Sequence, residues 1–362
     1  MSLRIALVTP EYPGCGPSYG VGAYLSSMAS GLVAAGAAVR VLACSDDGVW
    51  HVDPGDPPLR LATGRVPFAL RPLARRAMLQ RLLRGWHPDV VEVPNWGGLG
   101  AVLRGPWRLV VRWSTPTRLI REVRPLRRML KPLHHAWESA AVARADVIIA
   151  DSCAMAAIGR RVYGRRADAI IAHGWAGGCE PIVGANQQVL YVGRIEYRKG
   201  IDILLAAWAL VRRRAPHAVL HLVGADADGF ATRCLATSGA DGVVLHGRLA
   251  DDALAALRRG CGLQVVPSRF ESFGMVVLEA WAAGQAVIAC EAGALAEVVG
   301  GAGLLVPRGD SRALAEAMAA LLADPQRTCA LARSGQARLR ATYAQDALAR
   351  ANLAVYGGAA GA

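Results

Sequence analysis

Short apolar runs recur along the chain with helix-length stretches between them. Leu3 to Thr9 is a β-rich run, followed by a Gly/Pro loop from Pro10 to Gly22 and a helical pattern through Leu25, Met28, Leu32 and Val33. Further strand-like runs follow at Val39 to Ala43, Val90 to Val93, Leu109 to Val111, Val147 to Ala150 and Ala169 to Ala172. This alternation predicts a mostly parallel sheet with helices on both faces. Gly174 to Gln188 carries four glycines and little periodicity, so it reads as a linker, after which the alternation restarts. Strands are expected at Val189 to Val192, Val219 to Val223, Val243 to Leu245, Leu263 to Val266 and Ala286 to Ala289. Helices are expected over Ile201 to Arg213, from Asp252, from Met275 and from Asp310 onward.

The fold class is therefore α/β, two Rossmann-like parallel-sheet domains facing across a cleft, with ligands outside the carboxyl ends of the strands. The expected divisions are an N-terminal domain over 1–173, a linker over 174–188 and a second domain over 189–340. The last segment, 341–362, is expected to be a helix packing back on the first domain.

Composition agrees with two buried cores: 362 residues, 53% hydrophobic and 19% charged. No apolar run reaches the roughly 20 residues of a membrane span. Leu3 to Val8 runs into Thr9-Pro10 and reads as a strand, not a signal peptide. The eight cysteines are never closer than 26 residues apart, so no metal knuckle or C-x-x-C pair is available. A reduced cytosol is the expected compartment, with peripheral attachment to the inner membrane face as its variant.

Net charge is +13, and between Arg60 and Lys131 stand 16 Lys/Arg against only Asp89, Glu92 and Glu122. Such a localised excess attracts anionic partners. Nucleic acid is not expected, because the basic region lacks aromatic interleaving or a reader motif. From Arg118 to Lys131, Leu119, Val123, Leu126 and Leu130 share a helical face opposite Arg121, Arg124, Arg128 and Lys131. Two readings stand: an element docking on anionic membrane, or a domain helix with a solvated Arg face. Pro125 must open or break that helix.

The first loop, Gly14 to Gly22, follows a strand and precedes a helix, where backbone N–H groups can face an anion. Tyr19 stands where a dinucleotide fingerprint needs its third glycine, and no G-K-[S/T] is present. The counterpart in the second half, Gly193-Arg194-Ile195-Glu196-Tyr197-Arg198-Lys199-Gly200, is more informative. Only two of the 41 basic residues are lysine, so Lys199 in a loop after a strand suggests a need for a compact ammonium. Arg194 can clamp a diphosphate bidentately. The alternative is a pair of solvated surface cations.

In Pro267-Ser268-Arg269-Phe270-Glu271-Ser272-Phe273-Gly274, a strand ends and Glu271 lies in the loop, while Glu279 falls on the apolar helix beyond. Ionised glutamate on a buried face is costly unless partnered. Two carboxylates with a helix N-terminus between them suit hydroxyl, phosphate, hydroxyl, the pattern of a sugar nucleotide. Taken singly, Glu271 reads equally as a capping acid and Glu279 as half of a buried ion pair.

On these residues the chain resembles the retaining glycosyltransferases of family 4, which have the GT-B fold. The resemblance covers nearly the whole chain and is strongest from Val189 to Asp310. It rests on V-G-R-x-x-x-x-K-G, on P-S-x-x-E-S-F-G with the second glutamate, and on Gly293, Glu297, Gly303 to Pro307 and Asp310. It implies transfer of sugar from a nucleoside diphosphate sugar (UDP-, GDP- or ADP-linked), with no cofactor and no bound metal. It further implies that Glu271 holds hydroxyls of the transferred sugar and Glu279 the ribose. Arg194 and Lys199 neutralise the leaving diphosphate, while Gly193 and the backbone of Ser272, Phe273 and Gly274 cradle donor oxygens. The acceptor, anionic or lipid-linked, is expected to meet Gly20, Val21, Gly22, Asn95, Trp96 and Ser114.

One departure bears on activity. The family commonly has a histidine where Arg112-Trp113-Ser114-Thr115-Pro116 places Ser114, and a hydroxyl does not titrate near neutrality. A catalytically weak or inactive sugar-nucleotide-binding protein is therefore one alternative, and a sugar-nucleotide epimerase on the same fold is another.

Overall fold

The computed structural model describes residues 2–15, 20–45, 48–63, 66, 70–120, 125–184, 186–239 and 241–358. The chain forms two compact units, one of residues 1–176 with 343–362 and the other of 177–342.

The first unit contains β1 (Arg4–Thr9), α1 (Gly20–Ala34), β2 (Ala38–Cys44), β3 (Gly48–Val52), β4 (Leu59–Thr63) and α2 (Arg71–Trp86). Next come β5 (Val90–Pro94), β6 (Arg108–Trp113), α3 (Pro125–Arg144), β7 (Val147–Ala150), α4 (Cys153–Tyr163) and β8 (Ala169–Ile170). Its sheet runs β4-β3-β2-β1-β5-β6-β7-β8. β1, β5, β6 and β7 are buried along nearly their whole length, as strands covered on both faces require.

β3 and β4 depart from the expected parallel pattern: each pairs antiparallel with its predecessor. Only the short connection 45–47 separates β2 from β3, too little for a crossover, so the chain can only turn back. The acidic doublet Asp46-Asp47 lies there, outside the described residues.

The second unit contains β9 (Gln188–Val192), α5 (Ile201–Val211), β10 (Val219–Val223), α6 (Phe230–Ser238), β11 (Val243–Gly247) and α7 (Asp251–Gly260). It continues with β12 (Leu263–Val266), α8 (Met275–Ala282), β13 (Ala286–Cys290), α9 (Leu295–Val299), β14 (Leu304–Val306), α10 (Ser311–Ala323) and α11 (Pro325–Thr342). All neighbours in its sheet, ordered β11-β10-β9-β12-β13-β14, are parallel. Asp310 caps α10, its carboxylate accepting from Arg312 N and Ala313 N.

The last helix, α12 (Gln345–Tyr356), belongs to the first unit and packs on α1. Ser27 Oγ donates to Gln345 Oε1 at 2.9 Å. Farther along, Asn352 and Tyr356 reach a buried pair between neighbouring strands, Arg112 Nε to Glu92 Oε1 at 2.8 Å, each side chain 1% exposed. Coulomb attraction in that dry setting offsets the loss of hydration only because these further partners complete the hydrogen bonding.

The amphipathic stretch at 118–131 is not one helix. Thr117–Leu119 is a single 3₁₀ turn, Ile120 is extended, and α3 starts at Pro125. Proline is tolerated there because a first-turn N–H has no helical partner to lose. Leu119 is 45% exposed, while Val123, Arg121 and Arg124 lie outside the described residues. Lys131 Nζ donates to Ile120 O at 2.8 Å, folding the cation back onto the preceding segment. Among the described residues no helix is long and apolar enough to cross a membrane.

Candidate functional site

Both sequence-selected loops of the second unit leave the two strands at which the strand order of its sheet reverses. β9 and β12 are direct neighbours, with Leu263 opposite Val189, and their connections run to opposite sides of the sheet. Loops that part in this way leave a crevice at the carboxyl edge. Residues 193–200 end in a 3₁₀ turn, Tyr197–Lys199, and residues 267–274 lead into α8. Arg269 N donates to Arg198 O at 2.8 Å, and Arg269 Nη1 to Tyr197 O at 2.7 Å, so the loops are bonded to each other.

Two glycines make this closeness possible. Gly200 has φ +73°, and a Cβ there would lie 2.0 Å from the carbonyl oxygen of Pro267. Gly293, in the turn between β13 and α9, has φ +61° and would place a Cβ 1.9 Å from the carbonyl oxygen of Glu271. Ala294 N donates to that same oxygen at 3.0 Å, fixing the backbone of Glu271 from behind. Only a residue without Cβ combines positive φ with such contact.

Charge converges on the joined loops. Lys199 Nζ stands 2.5 Å from Glu271 Oε1, which also accepts from Ser268 Oγ at 2.7 Å. Arg198 Nη1 is 3.9 Å from Glu271 Oε2 and donates to Phe270 O at 3.1 Å. Glu196 Oε1 receives Arg198 Nη2 at 3.0 Å and Arg194 Nη2 at 3.3 Å. Burial pushes the Glu271 carboxyl up, but the charges of Lys199 and Arg198 and the bonds from Lys199 and Ser268 outweigh it and hold it below its ordinary 4.5. Arg194, Arg198 and Lys199 thus stand together with the carboxylates of Glu196 and Glu271. Arg194 is the most accessible of the three, its side chain 43% exposed.

Glu279 is the fifth residue of α8, about 7 Å along the helix axis from Gly274. Its Oε2 is 2.5 Å from Nη2 of Arg258, a nearly buried guanidinium at the end of α7. That pair orients the carboxylate. The structure therefore brings Arg194, Lys199 and Glu271 into one cluster and ties Glu279 separately to Arg258. Gly274 caps α8 without a side chain, next to half-buried Ser272 and buried Phe273. Gly193 N donates to Val223 O at 3.0 Å, and Tyr191 Oη donates to Arg194 O at 2.7 Å, so the turn is held to the sheet. Glu196, Arg198 and Arg258 were not singled out from sequence. The first two stand in the selected loop, whereas Arg258 lies 21 residues from its partner and gives no sequence signal. Among the described residues no group of three or more His, Cys, Asp or Glu is placed to hold a metal.

In the first unit, Gly20, Val21 and Gly22 form the opening turn of α1 and not a loop. Gly22 N donates to Glu11 Oε1 at 3.0 Å, so a buried carboxylate already occupies one of the amides expected to meet an anion. Residues 16–19, including Tyr19, lie outside the described residues. Asn95 and Ser114 are joined to each other. Asn95 is fully buried, with Oδ1 accepting from Ser114 N at 2.6 Å and Ser114 Oγ at 3.1 Å, and Nδ2 donating to Tyr163 Oη at 2.9 Å. In this arrangement Asn95 holds Ser114 in place. Trp96 is half-buried.

Comparison with known proteins adds to this geometry. A model described as glycosyl transferase 4-like domain matches residues 19–175, and one described as glycosyl transferases group 1 matches residues 186–324. A glycogen synthase of Mycobacterium tuberculosis is 28% identical over 394 residues, covering 98% of this chain and 94% of its own. A D-inositol 3-phosphate glycosyltransferase of Segniliparus rotundus is 36% identical over 180 residues, 48% of this chain and 40% of its own. Among solved structures, sucrose-phosphate synthase from Thermosynechococcus elongatus superposes with TM-score 0.80 at 25% identity, covering 98% of both chains. HepE of Anabaena, solved in complex with UDP-glucose, superposes with TM-score 0.74 at 19% identity over 98% of this chain and 99% of its own, a likeness of fold.

Proposed function

Because the chain belongs to the group 1 glycosyl transferases of family 4 type, with the GT-B fold, we propose that it moves a sugar from a nucleoside diphosphate sugar to an acceptor hydroxyl, with retention and without a metal ion. The observation that carries the reading is the cationic cluster of Arg194, Arg198 and Lys199 bonded to Glu271 at the carboxyl edge of β9 and β12. In this reading the donor's diphosphate meets Arg194 and Lys199, and Glu271, whose Oε2 keeps acceptor capacity, takes hydroxyls of the transferred sugar. Glu279, oriented by Arg258, accepts from the ribose. As the anomeric carbon–oxygen bond breaks, the fixed cations take up the charge growing on the departing phosphate, the work that Mg²⁺ does elsewhere. The departing phosphate oxygen takes the acceptor's proton on the same face, so no titrating side chain is needed at Ser114.

Thermal unfolding with UDP-, GDP- and ADP-sugars tests donor use: the correct donor at a hundredfold excess over its Kd adds about 2.7 kcal/mol. Transfer of labelled sugar from that donor is expected to persist in EDTA with the anomeric configuration kept. Binding without transfer to any acceptor would favour the inactive alternative, and activity that EDTA abolishes would overturn metal independence.

The proposed acceptor is anionic or lipid-linked. The reading is supported by the basic first unit, where Arg76, Arg81 and Arg84 lie on the exposed face of α2 beside Leu73, 55% exposed. Membrane contact through 118–131 is part of the same proposal, carried by exposed Leu119 and by Arg118 and Arg128 instead of a continuous helix. Flotation with anionic vesicles is expected to fall with rising salt and with Arg118→Gln/Arg128→Gln. Equal flotation of both proteins at all salt concentrations would remove the membrane from the account.

A further inference from the structure

Ser114 and Thr117 bound a short segment at the carboxyl end of β6, and both are held from below by one buried network. At its base is Glu138 on α3, 0% exposed. Its Oε2 accepts from Thr117 N at 3.1 Å and from Tyr163 Oη at 2.9 Å, and its Oε1 from Thr117 Oγ1 at 2.5 Å. Tyr163 ends α4 and in turn accepts from Asn95 Nδ2, whose Oδ1 receives Ser114 N and Ser114 Oγ.

The direction of every hydrogen follows from groups that can only donate. The backbone N–H of Ser114 forces Asn95 to present oxygen to it, so the Asn95 amide nitrogen faces Tyr163. Tyr163 oxygen must then accept, and its one hydrogen goes to Glu138. Thr117 N–H likewise only donates. All three donors therefore converge on an acceptor-only carboxylate. Burial pushes the Glu138 carboxyl up to about 7 against the opposing bonds from Thr117 and Tyr163. Among the described residues, titratable groups nearby are Tyr163 of α4, pushed far above its ordinary range, and His135 of α3, whose ring centroid is 6.0 Å from that of Tyr163. His135 is held below its ordinary value by burial and then by Arg118, which adjoins Thr117.

We propose that Glu138 is a positioning residue for sugar transfer: its ionised carboxylate fixes residues 114–117 in the shape that receives the acceptor, and its protonation releases them. A proton on Oε1 or Oε2 meets a hydroxyl hydrogen already pointing at that oxygen, so Thr117 or Tyr163 must give up its charge-assisted donation there and the hold on the segment weakens. The proposal rests on the transferase reading and assigns the titrating role to α3, at a segment where the family's usual histidine is Ser114.

The test compares the pH dependence of transfer in wild type, Glu138→Gln and Tyr163→Phe. Wild-type kcat/KM for acceptor is expected to rise through a limb near pH 7. Glu138→Gln should lack that limb and lose about 10- to 100-fold at pH 8, with donor KM unchanged. Tyr163→Phe should keep the limb but move it to higher pH, since a bond favouring the charged form is gone. Melting supplies a readout that needs no turnover. A folded pKa above the ordinary 4.5 means the native state holds its proton longer than the unfolded chain, so wild type loses stability relative to Glu138→Gln as pH rises from about 5 to 8. A limb that survives in Glu138→Gln, or a melting difference that is constant with pH, overturns the proposal. If wild type transfers no sugar at all, the transferase reading fails while the melting series still decides whether Glu138 titrates as described.

Discussion

Lys199→Ala is expected to lower kcat/KM for sugar transfer by about 10²- to 10³-fold, the scale on which loss of one preorganised charge-stabilising group acts. The ammonium lies 2.5 Å from Glu271 and is the compact cation of the cluster, so its loss removes charge from the leaving diphosphate and frees the sugar-facing carboxylate together. It also leaves Glu271 buried with Ser268 and, at 3.9 Å, Arg198. Stranding a buried charge costs about 3–5 kcal/mol, so some loss of folding stability accompanies the loss of activity. Glu271→Gln separates the two effects, since it keeps the shape and removes the stranded charge. The double variant Lys199→Ala/Glu271→Gln is expected to be more stable than Lys199→Ala alone and no more active. Urea unfolding of the singles and the double, as a double-mutant cycle, measures that coupling. The pH dependence of the carboxylate has a definite sign: with Glu271 held below 4.5, its contribution is fully present above that value and is lost as pH falls through the lower, folded value.

Gly293→Ala is the second large expected effect, and it involves no charge. An added Cβ would lie 1.9 Å from the carbonyl oxygen of Glu271 at a backbone with φ +61°. Neither partner is the free end of a flexible side chain, so the turn after β13 or the Glu271 loop must move. Positive φ alone costs about 1–3 kcal/mol for an L side chain, and displacement of Glu271 by about 1 Å is enough for a 10²-fold fall in transfer rate. Measured melting temperature and kcat/KM should therefore fall together. Gly301→Ala, with nothing near its Cβ, should change little, and equal effects of the two substitutions would contradict this role for Gly293.

Much of this arrangement can be read from the sequence because parallel strands buried on both faces are near-continuous apolar runs. Val147–Ala150 and Leu263–Val266 end where their runs end. The loops after β9 and β12 are legible for a related reason, since chemistry set just beyond such runs must stand at the sheet's carboxyl edge. What is not legible is pairing over distance. Arg112 and Glu92 lie 20 residues apart, and their contact comes from the adjacency of β5 and β6. Glu138 sits in a stretch whose local pattern is that of an ordinary helix, and its buried partners come from a turn and from a different helix. The antiparallel pair β3 and β4 is likewise hidden, because half-buried Trp50 and His51 interrupt the apolar run that marks the other strands. At 118–131 the spacing of leucines is helical, yet helix begins only at Pro125, where proline permits a start.

Calorimetric titration of a nucleoside diphosphate and the matching monophosphate into wild type and Lys199→Ala tests most directly whether this cationic turn grips the donor's diphosphate. The account predicts a loss of affinity of at least tenfold for the diphosphate, about 1.4 kcal/mol, and little change for the monophosphate, which lacks the second phosphate. Equal loss for both ligands, or none for either, would contradict it.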